Sequence, residues 1–132
     1  MGLNPIINDV FQAGQSGDAL RLNEILEAHP SLVNTENNDG LTLLGYAAHF
    51  SKKAVVQVLL DNGAQTNIFD SDGHTALHSA AFHADNVEMI RLLIEHGADI
   101  HAKIEGGESA LAVAIQQGNH NVKEFLIEKG AI

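Results

Sequence analysis

Asp72-Gly73-His74-Thr75-Ala76-Leu77-His78-Ser79-Ala80-Ala81 decides the fold, because its pattern returns along the chain. Asp39-Gly40-Leu41-Thr42-Leu43-Leu44 precedes it and Gly106-Gly107-Glu108-Ser109-Ala110-Leu111 follows it, with Gly40, Gly73 and Gly107 standing 33 and 34 residues apart. A second landmark trails each copy: Leu59-Leu60-Asp61-Asn62-Gly63-Ala64, Leu93-Ile94-Glu95-His96-Gly97-Ala98 and Leu126-Ile127-Glu128-Lys129-Gly130-Ala131. Two landmarks in fixed order at such a period define one supersecondary unit that stacks on copies of itself.

Working outward from the quoted stretch, a hydroxyl residue (Thr42, Thr75, Ser109) stands just before each apolar run. Its oxygen can accept the unpaired N–H groups of a first helical turn, so a helix starts there. Leu44, Ala47 and Ala48 share one face by their spacing, as do Leu77, Ala80 and Ala81, and Leu111, Ala114 and Ile115; small residues there let a neighbouring helix approach closely. A second helix follows, burying Val55, Val56, Leu59 and Leu60 in one unit and Met89, Ile90, Leu93 and Ile94 in the next. Gly63, Gly97 and Gly130 terminate it by taking the left-handed conformation. Polar stretches at residues 34–40, 67–73 and 101–107 read as extended fingers with a tight turn at the tip.

Reading backwards exposes a degenerate first unit: Val10, Ala13 and Gly17, then Leu22, Ile25 and Leu26. The chain therefore divides into four repeats, at about residues 5–36, 37–69, 70–103 and 104–132, in a single domain over 1–132. Where internal units place Val55 or Met89 and Val58 or Leu92, the first has Arg21 and Glu24; where they place Val56 or Ile90, the last has Lys123. Charges at positions that lack a neighbour predict an array capped at both ends and complete in itself.

Composition narrows the function classes. With no cysteine among 132 residues, a disulfide framework, a thiolate nucleophile and a cysteine zinc site are excluded. Seventeen acidic against seven basic side chains give a net charge of -10, which repels a phosphate backbone and anionic membranes. No apolar run approaches the roughly 18 to 20 residues of a spanning helix, and Met1-Gly2-Leu3-Asn4-Pro5-Ile6 carries no targeting signature. The expectation is a cytoplasmic monomer that binds neither nucleic acid nor membrane.

The run from Gly73 to Ala81, followed by Val87-Glu88-Met89-Ile90-Arg91-Leu92-Leu93-Ile94-Glu95-His96-Gly97-Ala98-Asp99, resembles an ankyrin repeat, and the resemblance covers essentially the whole chain. It departs in three ways. The proline that usually follows the Thr is Leu43, Ala76 or Ala110; the usual His survives as His78, with Gly45 and Ala112 elsewhere; and the third repeat carries one extra residue around His83-Ala84-Asp85. The resemblance implies an all-α solenoid of four helix-turn-helix units with β-hairpin-like fingers and a concave face that binds proteins. By register that face carries Leu41, His49 and Phe50; His74, Phe82 and His83; Glu108, Gln116 and Gln117; and Gln15 and Ser16 of the first repeat. Phe50 and Phe82 also admit a packing role over the alanines of the next repeat. Aromatic anchors beside adaptable polar groups are nonetheless the composition of a binding hot spot, so Leu41, Phe50 and Phe82 are expected to anchor a partner segment, flanked by His49, His74 and His83.

Other clusters read as structural. Asp70-x-Asp72-x-His74-x-x-x-His78 has spacings a metal could use, but these residues match repeat positions: Asp70 and Asp72 shape the turn, and His78 bonds to Thr75 or the finger backbone. Glu105-Gly106-Gly107-Glu108 is too acidic to cradle a phosphate. No nucleophile, base and acid recur in a motif, so neither catalysis nor a cofactor is expected. The sequence therefore predicts a non-catalytic protein-interaction module, with an enzyme-blocking inhibitor or immunity-type protein and a structural scaffold as alternatives; pH sensing or zinc uptake by the groove histidines is a subsidiary possibility.

Overall fold

In the computed structural model, which describes residues 5–37, 40–104 and 107–132, the chain folds into eight α-helices in four antiparallel pairs. They are α1 (Pro5–Ser16) and α2 (Ala19–Ala28), α3 (Leu43–His49) and α4 (Lys53–Asp61), α5 (Ala76–His83) and α6 (Val87–Glu95), and α7 (Ala110–Gln117) and α8 (His120–Glu128), with a short 3-10 turn at Pro30–Leu32. Asp39 and Gly106 of the repeat signature, and Glu105 of the glycine-rich stretch, lie outside the described residues.

The predicted caps start the inner helices. Thr42 accepts the Gly45 N–H at 3.0 Å, Thr75 accepts that of His78 at 3.5 Å and Ser109 that of Ala112 at 3.2 Å. At the opposite ends, Gly63, Gly97 and Gly130 hold φ of +86°, +94° and +104°. Each finger closes with one bond in the same register: Asn37 N–H to Leu41 O at 3.0 Å, Asp70 N–H to His74 O at 2.9 Å and Ile104 N–H to Glu108 O at 2.8 Å. Single β-bridges, Glu36 with Thr42 and Lys103 with Ser109, make the first and third fingers hairpin-like.

Helices α1, α3, α5 and α7 pack side by side as one layer, while in the other α4 lies on α2 and α8 on α6. The first layer is tight because its contact faces are small. Ala47, Ala48, Ala80 and Ala81 are buried, and a Cβ built on Gly14 of α1 would run into the buried side chain of Leu43. The second layer buries Val55, Val56, Leu59 and Leu60, then Met89, Ile90, Leu92 and Leu93, as one continuous core. Ile94 is partly buried.

Ile115 corrects the sequence reading. It aligns with buried Ala48 and Ala81 yet is 54% exposed. Helical spacing identifies the face that meets the following repeat, and α7 has no such repeat after it among the described residues.

Polar bonds tie neighbouring repeats together at the bases of the fingers. Asn34 Oδ1 accepts the Gln65 N–H at 2.8 Å. One repeat later, Asn67 Oδ1 accepts the Asp99 N–H at 2.7 Å while its amide donates to Gly97 O at 3.0 Å. The extra residue of the third repeat has a use: the Asp85 carboxylate accepts the N–H groups of Asn121 and Val122, at 3.3 and 2.8 Å, and the Asn121 amide at 3.0 Å. Asn119, in the capping position of α8, instead donates its amide to Ala81 O at 2.8 Å.

Candidate functional site

The C-terminal ends of α3 and α5 set His49-Phe50 and Phe82-His83 one repeat apart, and the side-by-side packing of the two helices brings the four rings together. His49 lies edge-on to Phe50 with centroids 4.7 Å apart, and 4.6 Å from His83; Phe50 is 5.8 Å from His83 and 4.7 Å from Tyr46. His49 and Phe82 are 15° from parallel with centroids 6.4 Å apart. The cluster does not hide its apolar faces, since Phe50 is 48% and Phe82 51% exposed.

Beside these rings is a cavity of about 260 Å³ between the third and fourth repeats, with His49 of the second at its edge. Helix α3 contributes His49; α5 contributes His78, Ser79 and Phe82; the second finger His74; the third finger Ile104 and Glu108; and α7 Val113 and Gln116. The Gln116 amide donates to Glu108 Oε1 at 3.1 Å across the finger-to-helix gap.

Five of the sequence-predicted residues, His49, His74, Phe82, Glu108 and Gln116, thus line one cavity, and Phe50 and His83 adjoin it through their ring contacts. Leu41 and Gln117 stand outside its lining. Leu41 lies against Gly45, where its Cδ1 would be 2.8 Å from an added Cβ, so it covers the ground a larger side chain would occupy. Gln117 is exposed, as are Gln15 and Ser16 of the first repeat, and the Ser16 hydroxyl donates to Ala13 O at 3.2 Å. Ser79 and Val113 were missed, although each sits three residues before a predicted one (Phe82, Gln116), a spacing that shares a helix face. Ile104 was missed because fingers carry no such periodicity.

The histidines differ in environment. His78 is 2% exposed; its Nδ1 accepts the Thr75 backbone N–H at 3.2 Å and lies 2.9 Å from Thr75 Oγ1. An accepting Nδ1 carries no proton, which leaves the neutral ring's proton on Nε2. Among the described residues that Nε2 makes no hydrogen bond of good geometry, although backbone acceptors at Glu108 and Ala102 lie near enough to favour the charged ring. Burial dominates and lowers the His78 pKa below the ordinary 6.5, with nearby His74 adding to the effect. The His49 pKa is lowered too, by burial first and then by the charge of His83.

Asp70, Asp72 and His74 bring three donor atoms within 4.8 Å of one another at the tip of the second finger. These are the described residues that could hold a metal ion. Their own bonds account for the arrangement: Asp70 Oδ1 accepts the N–H groups of Asp72 and His74, both at 2.9 Å, and Oδ2 lies 3.8 Å from His74 Nδ1.

A family model describing ankyrin repeats in three copies matches residues 10–104. The chain belongs to the ankyrin repeat family. The fourth ankyrin unit, α7 and α8, follows the matched segment with the same cap, hairpin and glycine end. Similar proteins include a putative ankyrin repeat protein of fowlpox virus, 36% identical over 99 residues, which is 75% of this chain and 23% of that protein. An ankyrin repeat and SAM domain-containing protein of Rattus norvegicus is 36% identical over 103 residues, 77% of this chain and 12% of its own length. An ankyrin repeat domain-containing protein of Stachybotrys chartarum is 31% identical over 122 residues, 92% of this chain and 6% of its own length. The chain thus spans less than a quarter of each of these relatives. Ankyrin repeats are in general protein-protein interaction modules. Among the described residues no helix is long and apolar enough to cross a membrane.

Proposed function

We propose that the chain is a non-catalytic adaptor that grips a segment of a partner protein along the groove formed by the ends of α3, α5 and α7 and the adjoining fingers. One observation carries this reading: four rings from two repeats form a continuous cluster whose two phenylalanines remain about half exposed beside the shared cavity. Large apolar faces held rigid by neighbours and rimmed by polar groups are where binding energy concentrates. Phe50 and Phe82 are the anchors, with Leu41 at one end of the groove; His49, His74, His83, Glu108, Gln116 and Gln117 form the polar flank. The chain acts as a cytosolic monomer without a cofactor.

The double substitution Phe50→Ala with Phe82→Ala tests this. Both rings are exposed enough for the fold to survive, and a truncated hot-spot aromatic costs about 2 kcal/mol or more. Affinity for a partner co-purified with the wild-type chain is expected to fall at least about 30-fold for each ring. Undiminished affinity in a folded double variant would remove the groove from consideration. A captured enzyme that loses activity in the complex would make the module an inhibitor; capture that survives groove substitutions but fails on finger substitutions would make it a scaffold.

A further inference from the structure

We propose that the cavity between the third and fourth repeats receives an arginine side chain of the partner segment, an assignment that rests on the groove being the binding face. At about 260 Å³ the cavity is smaller than the ~300–1,000 Å³ of pockets that enclose a small-molecule ligand, so its scale is that of a single side chain.

The lining sets apolar surface against polar groups, and His74, His78 and Ser79 complete it beside the residues that carry the argument. The rings of His49 and Phe82, 15° from parallel with centroids 6.4 Å apart, form part of the lining, and Ile104 and Val113 add aliphatic surface. Opposed to these in character are Glu108 and Gln116, joined by their 3.1 Å bond. Among the described residues the Glu108 carboxylate forms no ion pair, and no lysine or arginine lines the cavity. A carboxylate without a counter-ion, on a chain of net charge -10, asks for a cation.

The remaining choice is among side chains. An apolar occupant would strip water from Glu108 and leave its charge unpaired, which is costly. An anion would be repelled. Lysine could reach the carboxylate as a point charge, but it has no plane to lay against the rings. Arginine has an aliphatic stem for Ile104 and Val113, a planar cation that stacks on aromatic faces, and forked donors for a carboxylate.

Selection from a random peptide library on the immobilised chain tests this, keeping peptides whose binding falls on Phe50→Ala, since that defines occupation of the groove. Arginine is expected at a fixed place in these peptides. Its replacement by citrulline, equally planar but uncharged, is expected to weaken binding about tenfold or more, and lysine to recover part of the loss. Glu108→Gln, which keeps the shape and removes the charge, is expected to shrink the difference between arginine and citrulline to the part that the aromatic faces supply. Groove-bound peptides with no arginine preference, or with one that Glu108→Gln leaves intact, would overturn the arginine assignment while the groove reading stands. If no selected peptide responds to Phe50→Ala, both fail.

Discussion

Ser51 holds φ at +55°, where the aligned residues of the first and last repeats are Gly17 at +81° and Gly118 at +72°. The left-handed region costs an ordinary L-residue roughly 1–2 kcal/mol, and glycine escapes that cost while gaining freedom in the unfolded chain. Among the described residues the Ser51 hydroxyl has no hydrogen bond that would compensate, and its backbone bonds, N–H to Ala48 O and O from Lys53 N–H, do not need a side chain. Ser51→Gly is therefore expected to stabilise the fold by about 0.5–1 kcal/mol, read as a higher urea midpoint with an unchanged slope; a lower midpoint would show that the serine is not strained. The residue scale is also where sequence is least legible. The repeat pattern marks Gly45 as a departure from the usual His, but that Leu41 then folds onto it depends on packing that register alone does not specify.

At the scale of elements, α8 begins without a side-chain cap from Asn119, whose amide NH2 donates to Ala81 O in the preceding repeat. The first free N–H groups of α8 are met by Asp85 across 36 and 37 positions of sequence, with its negative charge at the positive end of the helix. In sequence the extra residue of the third repeat looks like an irregularity. Its role was illegible because the groups it serves belong to another unit, whereas Thr42, Thr75 and Ser109 were legible because a cap and its N–H lie three residues apart. Asp85→Ala is expected to cost about 1–2 kcal/mol. In a repeat stack the loss should remain near its interface, so hydrogen exchange should quicken in α8 and stay unchanged in α1 to α4. Uniform loss of protection would mean that the array opens as one cooperative unit, and unchanged α8 protection would mean that the cap is idle.

Over the whole molecule, four hairpins lean on one another through alanine faces and valine, leucine and isoleucine faces, and that much follows from periodicity, because each repeat poses the same burial problem. The concave residues escape it: they vary from repeat to repeat, so only register placed them, and the union of His49, Phe82, Ile104 and Glu108 in one cavity required the stack itself. The stack also governs the response to acid. His78 is held neutral by burial and by the Thr75 N–H that its Nδ1 accepts, and His49 by burial and His83; facing them are His74 and Glu108 from the fingers, with Asp70 acting on His78. Both folded pKa values lie below 6.5, so between them and 6.5 the unfolded chain binds more protons than the folded one. Stability is then full above pH 6.5 and declines as pH falls through the folded values. Protonating all eight histidines would move the formal charge from -10 to -2 and relieve repulsion, which acts in the opposite direction but is screened by salt. In high salt the urea midpoint is therefore expected to be lower at pH 5.5 than at pH 7.5. His78→Gln should flatten that difference, because glutamine can reach back to the capping residue's N–H as histidine does but takes no proton. An equal or higher midpoint at pH 5.5, or a slope that His78→Gln leaves unchanged, would show that the buried imidazole does not set the acid limit of the fold.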